Sequence, residues 1–542
     1  MRADLLLRGG RVRVLDEAGT VGQSVAIRAG RIVAVGADAE IEELAGPGTR
    51  VIDLAGRTVL PGFVDTHCHI EDIGTVEDTV SFAGARTIAE VVERVREAAA
   101  RTPAGEWIRG RIFHPVSQLV EARRPTRAEL DAATRDHPVH LPFGHSCAVN
   151  SAALARAGID RHTPDPPGGV IERDPDGEPT GILEEGAERL VTDVVPPWPA
   201  EQRARQFERA MQRLTELGIT GVVGGATAPS DVAALRALRD AGRATVRYGA
   251  VVAPTGELNP SVDLAEWAAW FAGHPAPDET DPWVREVGIK LQADGGMTLG
   301  TAALREPYPG TDHRGEQAVD ADRLAALAGV AARAGWRVAV HAVGDAGIDL
   351  VLDAYDAVHR SAPIDHRRFV LVHASLMTRD QAARARALGL HVAVQVGFLW
   401  DKAAVIRRNL GADRAARAVP IRMLIDEMGL QNVSAGTDHP INPLEPLINL
   451  QLMTTRRDAH GTDVGAGEAV TREEALRLLT SSAAWYTFDE HDRGTLEPGR
   501  LADLVVFSGD PLTVPADELT ALRTDLTVVD GRVVFERAGV AA

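Results

Sequence analysis

The chain has 542 residues, long enough for a large buried core plus a second module, because single hydrophobic cores stop growing near roughly 250–300 residues. With 58 Lys+Arg against 77 Asp+Glu its formal charge is −19, which argues against a nucleic-acid or anionic-membrane partner. Its two cysteines, Cys68 and Cys147, cannot build the disulfide framework of a small secreted domain, so a reducing, cytoplasmic setting is expected.

In chain order, the opening MRADLLLRGGRVRVLDE breaks its apolar run after three leucines, unlike the core of a signal peptide, and no later stretch approaches the roughly 18 apolar residues of a membrane span. The first sixty residues alternate apolar and polar side chains between Gly-containing turns, the pattern of an antiparallel β module. From about Gly62 to Asn442 the text changes in kind. Apolar runs of strand length (FVDTHCHI, ITGVVGG, TVRYGAVV, VGIKLQADG, WRVAVHAVGD, FVLVHAS, HVAVQVG, NVSAGTDHPI) recur between amphipathic stretches such as ARTIAEVVERVREAAAR and ADRLAALAGVAARAG. Strand–helix alternation implies a parallel sheet, and eight units favour a closed (β/α)8 barrel over an open doubly wound sheet. Residues from about 81 to 195 interrupt this rhythm with Pro- and Gly-rich text, which reads as an inserted subdomain after the first barrel strand. The closing ADLVVFSGDP and LTVVDGRVVFE return to the style of the beginning, so the two ends are expected to complete one small sheet.

In a barrel, residues at the C-terminal ends of strands converge on one pocket, so the polar residues that end each run are the informative ones. These are His67 and His69, Lys290 within its strand, His341, His373 and Asp438. With 17 histidines, a chance H-x-H arises about once in two such chains, so the motif draws its weight from its strand, where positions i and i+2 face the same way and two imidazoles can grip one ion. Imidazole with carboxylate suits zinc and other divalent first-row metals. Lys290 among apolar neighbours is costly unless paired, for instance with Asp294, or neutralised, for instance as a carbamate bridging two metals. Asp438 is either a ligand, a general base, or the cap of a following helix.

V-L-P-G-F-V-D-T-H-C-H (59–69) resembles the opening motif of the amidohydrolase superfamily. H-S-C-A-V-N-S-A-A-L (145–154), G-E-P-T-G-I-L (177–183), I-K-L-Q-A-D-G (289–295), H-A-V-G-D-A (341–346), G-T-D-H-P (436–440) and G-T-L-E-P-G-R-L-A-D-L-V-V (494–506) are similar to its family 3 branch, which includes N-substituted formamide deformylase and YtcJ-like proteins. The resemblance implies a (β/α)8 barrel over 59–474, carrying a β-sandwich built from 1–58 and 475–542. It implies one divalent metal on His67, His69 and Asp438, a second on His341 and His373, and a carboxylated Lys290 between them. The expected metals are two zinc ions, with manganese or iron as variants. A metal-bound hydroxide would attack a small-molecule amide, N-substituted formamide or cyclic amide, with Asp438 moving the proton to the leaving nitrogen. His145 either donates to the substrate oxygen or is structural, and family habit implies a homodimer. The chain departs from its relatives at V-H-A-S (372–375), G-R-I-F-H-P (110–115) and M-T-L-G (297–300), so substrate identity does not carry over.

Two other functions compete. A mononuclear deaminase shares the barrel but usually has Glu three residues after the fifth-strand histidine, where this chain has Gly344, and it has no need of Lys290. A non-catalytic binding barrel usually loses a ligand, whereas all six positions are filled here. The same ligands would also suit an isomerase or decarboxylase.

Overall fold

Eight apolar runs form one parallel sheet whose strands are β1 (Phe63–Cys68), β2 (Ile219–Thr227), β3 (Arg247–Val252), β4 (Val284–Gln292), β5 (Val338–Ala342), β6 (Val370–His373), β7 (His391–Val394) and β8 (Val433–Ala435). Each pairs with the next in sequence. The two free edges meet: the Asp438 amide donates to the His67 carbonyl at 2.7 Å and the His69 amide to the His439 carbonyl at 2.9 Å. The sheet is therefore a barrel. In the computed structural model the described residues are 2–143, 146–166, 169–254, 262–277 and 280–539, the Ser117 side chain apart. They form two units, Met1–Ile70 with Phe207–Ala542, and Glu71–Gln206.

Strands covered on both faces should be apolar throughout, and β6 and β7 are buried along their whole length. Val223, Val251, Ala339, Val370, Val372 and Ala393 form one buried cluster with Tyr486. Parallel register sets Lys290 beside Ala339 and His341 beside Val372, so these polar side chains share the face of that cluster. The helix Asp345–Ser361 buries Ile348, Val351, Leu352, Tyr355 and Val358, the 3.6-residue spacing of its sequence. The Tyr355 hydroxyl reaches the Val338 and Val370 carbonyls at 3.1 and 3.2 Å, tying it to the starts of β5 and β6. Its neighbour Arg379–Ala387 starts at a capping box of Thr378 and Gln381.

The chain ends build two further sheets. One has four strands in the order Arg31–Gly36, Ser24–Arg28, Leu5–Arg8, Arg50–Asp53. The other has six, in the order Arg532–Glu536, Thr524–Val529, Leu504–Phe507, Thr58–Pro61, Arg11–Arg13, Val21–Gly22. Leu7, Val25, Ile27 and Ile52 from the first share one core with Val59, Leu504, Val506 and Leu526 from the second. Each such side chain contributes roughly 1.5–3 kcal/mol on burial.

The unit Glu71–Gln206 has its own five-stranded sheet, ordered Gly169–Arg173, Pro179–Glu185, Ser146–Val149, Val139–Pro142, Ile108–Arg109. Alternation along its strands feeds two cores. Val139, Leu141, Ala148 and Ile182 pack with Phe82 and Val91, while Cys147, Val149, Ile171 and Leu183 pack with Leu154 and Val191. Neither Cys68 nor Cys147 is in a disulfide, and both are buried. Among the described residues no helix is long and apolar enough to cross a membrane.

Candidate metal centre

His67 lies on β1 and His69 just beyond it, and Asp438 lies three residues past β8. The His67 and His69 Nε2 atoms each stand 3.3 Å from Asp438 Oδ1. Ligands of a tetrahedral zinc at roughly 2.0–2.1 Å are separated by roughly 3.3–3.4 Å, so this donor set fits one divalent ion. The His373 ring is 5.2 Å from that of His67 and 4.5 Å from that of His341, which extends the cluster across β5 and β6. His373 Nδ1 is buried without a hydrogen-bond partner, a donor atom aimed at no protein group.

Electrostatics favours neutral forms here. Burial, then the Lys290 charge, push His67 down to about 4 against the pull of Asp438. Burial and His341 push His373 well below the ordinary histidine value. Burial also pushes Lys290 down to about 8, opposed by Asp438. Asp438 goes the other way: burial raises it, but the hydrogen bonds from His67 and His69, with the charges of His67 and His373, together hold it well below the usual carboxylate range. Unprotonated imidazole beside ionised carboxylate is the form in which these side chains bind metal.

Backbone strain marks the same place. His373 has φ 74° and Asp438 φ 58°, left-handed conformations that cost non-glycine residues of order 1–3 kcal/mol. Asp65 braces the turn that carries Asp438. Its Oδ1 accepts from the amides of Thr437 at 2.9 Å and His67 at 3.2 Å, and its Oδ2 accepts from the Thr437 hydroxyl at 2.6 Å. Burial lifts this carboxyl to about 6 in spite of those bonds. Two glycines permit the close approach: a Cβ at Gly436 would lie 2.4 Å from the His67 nitrogen, and one at Gly225 2.7 Å from His69 Cε1.

Lys290 is 3% exposed on β4, but Asp294 is not its counter-ion as one sequence reading had it. The Asp294 carboxylate accepts from the amides of Ala303 (2.9 Å), Val343 (2.8 Å) and Gly344 (2.8 Å), and burial pushes it up to about 7. It thus ties the segments after β4 and β5 together below His341, whose Nε2 sits 3.2 Å from the Gly295 carbonyl. Nor does Asp438 cap a helix: the next one, Pro446–Thr455, has Glu445 at its cap position. His145 lies outside the described residues.

Several polar residues of the barrel went unassigned in the sequence. Asp65 stands two residues before His67 inside the quoted motif, so its shared face was legible although its partner Thr437, 372 residues away, was not. Gln395 directly follows β7 and is buried with neither amide atom partnered, as is Asn449. A lone glutamine ending an apolar strand was the available signal.

A parallel barrel with histidines and an aspartate gathered at its strand ends defines the class, a (β/α)8 barrel whose mouth suits a divalent metal. The amidohydrolase family model matches residues 50–535. The chain belongs to that family and is a metal-dependent hydrolase of carbon–nitrogen bonds. It is 31% identical to N-substituted formamide deformylase of Arthrobacter pascens, over 99% of each chain. It is 30% identical to the putative amidohydrolase YtcJ of Bacillus subtilis, over 98% of this chain and 99% of that one. The crystal structure of an uncharacterized metal-dependent hydrolase from Pyrococcus furiosus superposes with a TM-score of 0.73 at 27% identity, covering 94% of this chain and 100% of that one.

Proposed function

We propose that the protein hydrolyses the C–N bond of a small amide, in the manner of an N-substituted formamide, at a binuclear centre. His67, His69 and Asp438 would hold one ion, His341 and His373 the other, with Lys290 between them. The observation that carries this reading is the approach of both imidazoles to one Asp438 oxygen at 3.3 Å, with Lys290, His341 and His373 on adjacent strands. Divalent metal bound there supplies Lewis-acid polarisation of the amide oxygen and lowers the pKa of water. Asp438, held toward its ionised form, would accept a proton on the carboxylate oxygen that does not face the ion and return it to the leaving nitrogen. Lys290, brought down to about 8 by burial, would offer a neutral amine to CO2, forming an N–C bond and releasing one proton, and the carbamate would supply oxygen ligands to the ions.

The amide reading is favoured over deamination by Gly344. A Cβ there would lie 1.9 Å from the Ala303 carbonyl oxygen, so the position that carries a glutamate in deaminases has no room for a side chain. The relative whose name specifies an N-substituted formamide supports the substrate class.

The test is elemental analysis of protein grown with zinc or manganese, together with turnover of an N-substituted formamide panel before and after chelation. Loss of metal and of turnover in Lys290→Ala supports the bridged centre. Metal content and turnover independent of Lys290 overturn it, and deamination without amide turnover overturns the substrate class.

A further inference from the structure

A second cluster of metal-binding side chains lies in the unit Glu71–Gln206, outside the centre described above. His140, Cys147 and Glu188 place one ligand atom each within 4.8 Å of one another. The strands dictate this. Val139–Pro142 and Ser146–Val149 form an antiparallel pair in which His140 faces Val149 and Pro142 faces Cys147. Val139 and Leu141 point into one core of the sheet, so His140 points to the opposite face, where Cys147 packs with Leu183 and Val191. His140 and Cys147 are thus diagonal neighbours on one face, within reach of a long side chain. The neighbouring strand Pro179–Glu185 pairs with Ser146–Val149, and the turn after it carries Ala187 into the same core and brings Glu188 over the pair. Glu188 Oε1 stands 3.6 Å from His140 Nε2.

Two features set this cluster apart from an ordinary buried histidine. His140 Nε2 is buried and makes no hydrogen bond, although it points at the carboxylate, and buried ring nitrogens are seldom left so. Cys147 is wholly buried beside that same carboxylate, and burial first, then the Glu188 charge, raise its thiol well above the ordinary value. His140 Nε2 and Glu188 Oε1 stop 3.6 Å apart, beyond hydrogen-bond distance, and a cation among the three groups would bond to each.

We propose that His140, Cys147 and Glu188 form a separate site for a thiophilic divalent cation of the zinc class, with three protein ligands and a fourth position open to water or to an incoming donor. Binding replaces the Cys147 S–H bond by an S–metal bond and releases that proton to solvent, so affinity rises with pH. The site couples the two central strands to the turn after Pro179–Glu185, so its occupancy stabilises the unit by mass action.

Cobalt(II) separates this site from the barrel, because thiolate-to-cobalt charge transfer in the near ultraviolet requires a sulfur ligand and the barrel set contains none. The chain has two cysteines, so in Cys68→Ser any such band reports Cys147. We expect full-length Cys68→Ser, titrated with cobalt, to develop the band, and His140→Gln in that background to weaken cobalt binding at least about tenfold. The band should persist when His67 and His69 are both replaced by alanine. No thiolate band in folded Cys68→Ser, or one unchanged by His140→Gln and Glu188→Gln, overturns the proposal. Should Cys68→Ser not fold, the wild-type band and its loss on His140→Gln give the same decision.

Discussion

The terminal sheets and the mouth of the barrel both bury charge, but they treat it in opposite ways. Asp510 is approached by Arg11 and by Arg13 at 3.0 Å, Asp525 by Arg57 at 2.9 Å and Arg537 at 3.3 Å, and Asp503 by Arg247 through two bonds of 2.6 and 3.0 Å. Each carboxylate there meets a fixed cation. At the mouth, Lys290, His67 and His373 are pushed toward neutrality by burial, and Asp65 and Asp294 are lifted. Paired charge in the sheets serves to hold the chain ends together. Under-compensated charge in the mouth is a cost that a bound cation would relieve, which is why perturbed acidity collects there.

Exchanging groups across this divide should separate activity from stability. The largest effect is expected from Asp438→Asn, which should lower kcat/KM by at least about 10³-fold and strip metal, while the thermal midpoint of the chelated protein holds or rises. Arg247→Ala should do the reverse. It leaves Asp503 buried and unpaired, costing about 3–5 kcal/mol in denaturant unfolding, with turnover per folded molecule retained. Thr437→Val removes the hydroxyl that Asp65 Oδ2 accepts, and should weaken metal affinity by about 10–100-fold, as measured by competition with a chelator.

The smallest effect concerns a capping charge in the inserted unit. Glu129 completes a capping box with Thr126 and meets Arg123, whose hydrogen bond is the main cause that brings its carboxyl down to about 2. Its folded value is thus below its unfolded one, so its stabilisation is complete above the ordinary 4.5 and fades as pH falls toward about 2. Unfolding midpoints of wild type and Glu129→Gln should therefore converge across that window.

The eight barrel strands were legible because each is a short apolar run, and His67 with His69 because strand alternation puts them on one side. Lys290, His341 and His373 could be placed by where their runs end. The tie between Asp65 and Thr437, and the way Asp294 gathers three amides from two loops, were not, because both depend on backbone groups brought together only by closure of the barrel. A lysine–aspartate pair looked equally reasonable from four residues of spacing, and register decided against it. The Pro- and Gly-rich insertion announced itself as a break, yet its sheet did not, since a strand as short as Ile108–Arg109 leaves no periodicity to read. Cys147 was read for redox setting alone, and its neighbours His140 and Glu188 became visible only once the hairpin was formed.

The strand Leu504–Phe507 lies between Thr58–Pro61 and Thr524–Val529, and Arg11 reaches Asp510 across 499 residues of sequence. During synthesis the strands from the start of the chain therefore emerge from the ribosome long before their partner exists. Until then Thr58–Pro61 presents an unpaired edge, open to other chains and to chaperones. The same arrangement makes Leu504–Phe507 a latch: a chain from which it is missing leaves that edge of Thr58–Pro61 without its partner.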